Sequence, residues 1–421
     1  MEAGRAYRRF VLLDSHRSNH QPAGDAHARY DFIAALGAVD EVNATAHRGF
    51  EQLRLFSESR DDWLFGYFTY DLKNEVEQLS SSHPDEVGFP ALHFFQPLWV
   101  VLCTGEDIRL EYLPDRVSGE EVADFAEHLM QIDGEALTDR DIGRVGALRG
   151  RFTEDEYLAA VNQLKSHIQR GDVYEVTFCQ EYFAQARVDP FVGYHQLGEL
   201  SPAPFSCFYR LDHRYLLSAS PERFLSKVGN HLISQPIKGT IGRGSTPEQD
   251  RQHRGRLARD IKEQAENVMI VDLVRNDLSR TALPQTVKVD ELFGIYAFPQ
   301  VYQMISTVSA RIDPRHYLRS IRQAFPMGSM TGAPKVRAME LIEQYERSRR
   351  GLYSGAVGYF SPDKDFDFNV VIRSLLYNAE KNYVSFQVGG AITSLSDPRQ
   401  EYEECQVKAK ALKQVLTQKK I

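Results

Sequence analysis

The chain has 421 residues, 42% hydrophobic and 26% charged, which is enough apolar material for a large buried core. Its formal net charge of -8, with no cluster of Lys and Arg, argues against nucleic-acid binding. No run approaches the ~18 apolar residues of a membrane span, the first ten residues lack a signal-peptide core, and the four cysteines (Cys103, Cys179, Cys207, Cys405) lack metal-ligand spacing, so a cytoplasmic protein with reduced thiols is expected.

Residues 1–115 read mostly as strand, in runs such as Phe-Val-Leu-Leu (10–13) and Leu-Trp-Val-Val-Leu-Cys (98–103). Helical patterns are predicted near 29–38 and 119–131. The polar, glycine-bearing stretch 132–150 is read as a linker between an N-terminal region, 1–131, and a second domain, 151–421. Phe-Thr-Glu-Asp-Glu-Tyr (152–157) opens a helix, with Thr153 as N-cap and Glu156 as the capping-box acid. Strands are predicted at 173–179, 205–210, 214–219, 231–237, 355–360, 369–377 and 383–388, with helices between some of them. Strands at hairpin distance beside helices indicate an α+β fold with antiparallel sheets. No Gly-x-Gly-x-x-Gly leads from a strand into a helix, so a dinucleotide fold is not indicated.

Lys238 stands in Gln-Pro-Ile-Lys-Gly-Thr-Ile-Gly-Arg-Gly (235–244), after the apolar run 231–234. Pro236 fixes the backbone before it, and Gly239, Gly242 and Gly244 allow a sharp turn after it. A lysine so placed is either a surface turn lysine or one aimed into a cleft, where partial desolvation would free its amine as nucleophile or base.

Thr246-Pro247 starts a helix that is predicted to run through 259–269. On it Glu263 and Glu266 share a face, which Ile270 continues into the core. A second helix starts at Ser-Asp-Pro (396–398) and aligns Glu401, Glu404 and Lys408. Two facing Glu-x-x-Glu pairs need protons, cations or a metal, and an all-oxygen set favours a hard cation such as Mg²⁺. No histidine follows either pair at di-iron spacing. Glu-x-x-Glu is common, so by spacing alone each pair reads first as a solvated helix face.

Phe-Pro-Met-Gly-Ser-Met-Thr-Gly-Ala-Pro-Lys (325–335) precedes a helix at 336–343 and exposes amides suited to an anion, without the order of a Walker A loop. Phe-Gln-Val-Gly-Gly-Ala-Ile (386–392) ends a strand in a glycine turn with the same capacity. Between them, 367–375 carries Arg373 among apolar strand residues, where it needs an anionic partner: a structural Asp or Glu, or a carboxylate ligand. The residues therefore point to an enzyme for a small polycarboxylate that uses Mg²⁺ and an active lysine.

Five segments together resemble the chorismate-utilising enzymes. They are 218–224 (Ser-Ala-Ser-Pro-Glu-Arg-Phe), 265–278 (Ala-Glu-Asn-Val-Met-Ile-Val-Asp-Leu-Val-Arg-Asn-Asp-Leu), 325–335, 351–359 (Gly-Leu-Tyr-Ser-Gly-Ala-Val-Gly-Tyr) and 401–409 (Glu-Tyr-Glu-Glu-Cys-Gln-Val-Lys-Ala). They stand in the family's order and span roughly 151–418. The resemblance implies intertwined antiparallel sheets packed face to face, helices outside and the active site in the cleft. Pro-Ile-Lys-Gly-Thr is similar to the aminodeoxychorismate synthase component I branch; the anthranilate synthase branch typically has alanine at Lys238. Leu12-Leu13-Asp14-Ser15 is similar to a segment of both branches, and Trp63-Leu-Phe-Gly-Tyr with Tyr70-Asp-Leu-Lys-Asn resembles component I chains; the N-terminal region of the family can hold tryptophan.

By the same resemblance, Glu266 and Glu404 are the main Mg²⁺ ligands, with Glu263 and Glu401 as partners. Lys238 attacks C2 of chorismate, ammonia then adds at C4, and 4-amino-4-deoxychorismate leaves for a separate lyase on the route to 4-aminobenzoate and folate. Arg373, Tyr353, Thr331, Gly389, Gly390 and Lys408 would position the two carboxylates, though Lys408 is also placed for an i,i+4 bridge to Glu404. Three positions depart from the family. Glu175 replaces a common glutamine, and is either a general acid or base or an altered contact. Gln303 stands where histidine is frequent, and Ala391 where a third glycine is usual. Glu175 cannot imitate the lysine base of isochorismate- and salicylate-forming members. No Gly-x-Cys-x-Gly nucleophile is visible, so ammonia is expected from solution or a separate glutamine amidotransferase subunit. The alternatives are anthranilate synthase component I and a non-catalytic binding protein of the same fold.

Overall fold

A computed structural model describes residues 1–16, 29–45, 47–132, 137 and 140–417. The architecture is two antiparallel sheets that share one long strand, Leu92–Thr104. One side of that strand pairs along its whole length with Phe32–Ala44. Its other side pairs first with Leu64–Phe68 and then with Asp107–Tyr112. The changeover falls at Gln96 and Pro97, where the partner register shifts between Ala38 and Asp40. Proline removes a ladder donor and a bulge bends the strand, so one strand can serve two layers.

From Phe32–Ala44 the first sheet continues through Arg9–Asp14, Phe205–Leu211, Arg214–Ser220, Ser374–Asn378, Tyr383–Ile392 and Glu175–Val188. From Leu64–Phe68 the second runs through Ala356–Phe360, Phe366–Asn369, Arg223–Val228, His231–Gln235 and Val301–Arg311. Val301–Arg311 also carries Ile237–Gly242 and Lys288–Ala297. One buried cluster draws on both sheets, including Tyr67, Phe94, Tyr209, Phe360 and Phe368. A second lies under the helices Glu154–Gln169, Pro190–Leu200 and Pro398–Thr417, through residues such as Leu164, Phe178, Leu197, Phe386 and Leu412. The α+β fold of antiparallel sheets with outer helices is thus the one the sequence implies.

Several helix starts follow from local chemistry. Thr153 and Glu156 form the predicted capping box, and Ser118 with Glu121 forms another at Gly119–Gln131. Asp397 accepts from the Arg399 and Gln400 amides at 3.1 and 3.0 Å and starts the C-terminal helix.

Three expectations are corrected. Residues 29–38 are not helical; Phe32–Ala44 is a strand. Ile33 and Ala35 enter one core cluster and Ala34 and Leu36 the other, so tertiary burial on both faces overrides the helical preference of Ala and Leu. The helix from Pro247 does not run through 259–269. It ends at Ala258, and Asp260 caps a new helix, Ile261–Ser279, by accepting from the Lys262 and Glu263 amides. The strand expected at 369–377 is broken: Asn369 ends the strand Phe366–Asn369, Arg373 takes a positive φ of 50°, and pairing resumes at Ser374–Asn378. Of the expected linker, residues 133–136, 138 and 139 lie outside the described residues. Gly143–Val145 and Arg149–Gly150 pair with Glu175–Val188.

Candidate active site

Lys238 sits where the ladder between Ile237–Gly242 and Val301–Arg311 slips, between the pairs Ile237–Ile305 and Thr240–Gln303. Gly239 follows with φ of 92°; a Cβ there would lie 3.3 Å from Glu263 Oε2 and 3.1 Å from Leu257. The slip takes Lys238 out of the regular alternation. Its Nζ donates to Glu175 Oε1 at 2.8 Å, with side-chain exposures of 12% and 1%. Glu175 begins its strand opposite Ala333. Gly332, at φ of 147°, makes that approach possible, since a Cβ there would stand 2.1 Å from the Glu175 carbonyl oxygen.

Burial alone would lower the Lys238 pKa, but the charges of Glu175, Glu266 and Glu222 more than offset it, and the pKa is raised above the ordinary lysine value. The expectation that desolvation frees the amine is therefore reversed: the resting group is an ammonium held by a carboxylate. Glu222 is pushed up to about 7 by burial, against the opposing pull of Lys238 and Lys408. The sequence contained it within 218–224 without marking it. The available signal was a carboxylate just after Pro221 at the mouth of a buried strand.

Glu263, Glu266, Glu401 and Glu404 come together from the helices Ile261–Ser279 and Pro398–Thr417. Burial pushes Glu266 up to about 7, with repulsion from Glu175 and Glu263 adding to it and Lys238 and Lys262 opposing. Burial likewise raises Glu263, and Glu404 adds to it; Glu401 is raised in the same way. Burial would raise Glu404 as well, but Lys408 prevails and its pKa is lowered. The Glu266 Oε1 atom is buried without a hydrogen-bond partner. Lys262 Nζ stands 3.8 Å from Glu266 Oε1 and 3.9 Å from Glu401 Oε1. Among the described residues no trio of His, Cys, Asp or Glu side chains converges tightly enough to enclose a metal ion.

Lys408 Nζ binds Glu404 Oε1 at 2.7 Å, the i,i+4 bridge, and also donates to the Gly389 carbonyl at 2.9 Å. Gly389 opposes Cys179 and Gly390 opposes Phe178 in the sheet. A Cβ on Gly389 would meet the Phe178 carbonyl oxygen at 2.2 Å; one on Gly390 would stand 3.0 Å from Glu401 Oε2. Arg373 is partly buried, and burial lowers its pKa while the Glu404 field opposes that. Among the described residues no carboxylate forms an ion pair with its guanidinium, so it has charge to offer an anionic ligand.

Thr331 is fully buried, and its hydroxyl donates within its own turn to the Met327 and Gly328 carbonyls, both at 3.2 Å. Tyr353 OH lies 3.5 Å from Cys179 Sγ. Lys335 does not face the cleft: it binds Asp277 at 2.6 Å and the Pro326 carbonyl at 2.9 Å, fixing the 325–335 loop. Gln303 is buried with Oε1 unpartnered, and it lines a small cavity with Arg373, Ala219 and Pro221. Leu13, Asp14 and Ser15 line a separate cavity with Tyr30, Phe205 and Arg223. Among the described residues no helix is long and apolar enough to cross a membrane.

A family model described as chorismate binding enzyme matches residues 9–414. Aminodeoxychorismate synthase component 1 of Salmonella typhimurium is 36% identical over 340 residues, covering 80% of this chain and 73% of the relative. Anthranilate synthase component 1 of Cereibacter sphaeroides is 35% identical over 364 residues, covering 83% and 72%. The structure of anthranilate synthase component I from Streptococcus pneumoniae superposes with a TM-score of 0.80 at 25% identity, over 94% of each chain.

Proposed function

The chain belongs to the chorismate binding enzyme family, and we propose that it replaces the C4 hydroxyl of chorismate by an amino group, giving 4-amino-4-deoxychorismate. Relatives named for this activity and for anthranilate synthesis are about equally similar, so the choice rests on the site. The observation that carries it is Lys238, aimed out of a slipped ladder and bonded to Glu175 at 2.8 Å beside the carboxylate cluster. The anthranilate branch typically has alanine at that position.

The two carboxylates of chorismate would be held by Arg373, Lys408 and the Gly389–Gly390 turn, with Thr331 and Tyr353 shaping the wall. Lys238 gives one proton to Glu175 and its free amine bonds to C2. The ring double bonds shift and the C4–O bond breaks. Glu222, whose pKa near 7 keeps it partly protonated at neutral pH, gives the proton with which the hydroxyl leaves as water. Ammonia then bonds to C4, the electron pair returns through the ring, and the C2–N bond breaks. Lys238 recovers its proton from Glu175, and the excess proton on the new amine recharges Glu222. Covalent catalysis divides one hard displacement into two and fixes its position on the ring.

The cluster suits Mg²⁺: four oxygen-donor side chains, three of them raised by burial, and an unpartnered Glu266 oxygen. Glu266 and Glu404 would hold the ion with Glu263 and Glu401 around it, and it would supply Lewis-acid withdrawal from the ring carboxylate. The relatives' name, component 1, supports a separate glutamine amidotransferase as ammonia source. A lyase would then take the product to 4-aminobenzoate for folate, in the cytoplasm.

The test is peptide mass mapping after chorismate and Mg²⁺ are supplied without ammonia. The Lys238 peptide should gain the mass of chorismate less one water, and lose it on addition of ammonium. An unmodified Lys238 peptide during turnover would overturn the covalent route.

A further inference from the structure

The carboxylate cluster already contains a cation of its own. Lys262 Nζ lies 3.8 Å from Glu266 Oε1 on its own helix and 3.9 Å from Glu401 Oε1 on the C-terminal helix. An ordinary i,i+4 bridge would involve Glu266 alone. The ammonium stands between a carboxylate of each helix. At nearly 4 Å it neutralises the two nearest oxygens without a close bond to either, and Glu266 Oε1 keeps no hydrogen-bond partner.

We propose that Lys262 is the resident counter-cation of this cluster, and that metal binding is an exchange in which its ammonium leaves for solvent. The inference rests on the Mg²⁺ reading given above. Lys262 has the room to leave, since its side chain is 44% exposed while those of Glu266 and Glu401 are 11% and 4% exposed. Because the two cations are mutually exclusive, each weakens the other's hold by the same factor.

Two measurements test this without reading activity. In the full chain, the peptide bearing Lys262 should be acylated several-fold faster by an amine reagent when Mg²⁺ is present. By calorimetry, Lys262→Met should bind Mg²⁺ tighter by about 5-fold or more, the lower end of typical coupling between sites, while Lys262→Arg should stay near wild type. Equal Mg²⁺ affinity in wild type and Lys262→Met, or labelling unchanged or slowed by Mg²⁺, overturns the exchange alone. No Mg²⁺ binding by any form overturns the metal assignment and the exchange with it.

Discussion

Lys238 shows what a single residue reveals and conceals. Its framing by Pro236 and Gly239 was legible in the sequence, because those residue types dictate backbone geometry. Its charge was not, because that depends on Glu175, 63 positions away, and on Glu266 from another helix. Removing Glu175 takes away the largest of the charges that offset burial, so in Glu175→Gln the lysine pKa should fall. Acylation of Lys238 at pH 8 should then be faster than in wild type by about 10-fold, one pKa unit's worth of free amine. Glu222 gives a second test. Its folded pKa of about 7 exceeds the ordinary carboxylate value of 4.5, so the folded state keeps the proton longer than the unfolded state. The carboxyl carries no penalty below pH 4.5; stability is lost as pH rises from there to about 7, and the penalty is constant above that. Glu222→Gln should therefore be more stable than wild type at pH 8, by up to about 3 kcal/mol, and equal to it near pH 4. Denaturant melts at the two pH values check this. The same variant should lose about 10²-fold or more in turnover, as an acid catalyst would.

Among the elements, helices with side-chain caps were the most readable. Thr153, Glu156, Thr246 and Pro398 mark their starts by chemistry that acts within one turn. The break at Arg259 was hidden because Asp260 lies in a charged run that also suits a helix interior. Phe32–Ala44 was misread because its alternation only has meaning when both faces are buried. The strand Tyr383–Ile392 makes a prediction at this level. Gly389 packs against the backbone of Glu175–Val188, so Gly389→Ala should destabilise the whole protein by about 1–3 kcal/mol, the cost of overpacking. Gly390 instead faces Glu401, so Gly390→Ala should spare most of that stability and weaken Mg²⁺ binding measured by calorimetry. The reverse ranking would mean that the glycine pair does not divide its work between sheet and cluster.

In the whole molecule, strands from both ends of the chain complete the same sheets. Arg9–Asp14 lies beside Phe205–Leu211, and Leu64–Phe68 lies beside Ala356–Phe360. Sequence texture changes near residue 150, but pairing across that point is a long-range matter that composition does not record. Both tryptophans, Trp63 and Trp99, belong to the first hundred residues. Their fluorescence should nonetheless change at the same denaturant concentration as far-UV circular dichroism of the whole chain. Separate transitions would show that the N-terminal region melts on its own. The similarity to relatives of two activities fixes the family and leaves the ring position to be decided by Lys238 and its surroundings.

The most direct measurement is therefore the product itself. The protein would be supplied with chorismate, Mg²⁺ and an ammonium salt at alkaline pH, in two tubes, one of them with added aminodeoxychorismate lyase. The account predicts 4-amino-4-deoxychorismate in the first tube and 4-aminobenzoate only in the second. Anthranilate in both would contradict it, because ammonia would then have gone to C2 in spite of Lys238.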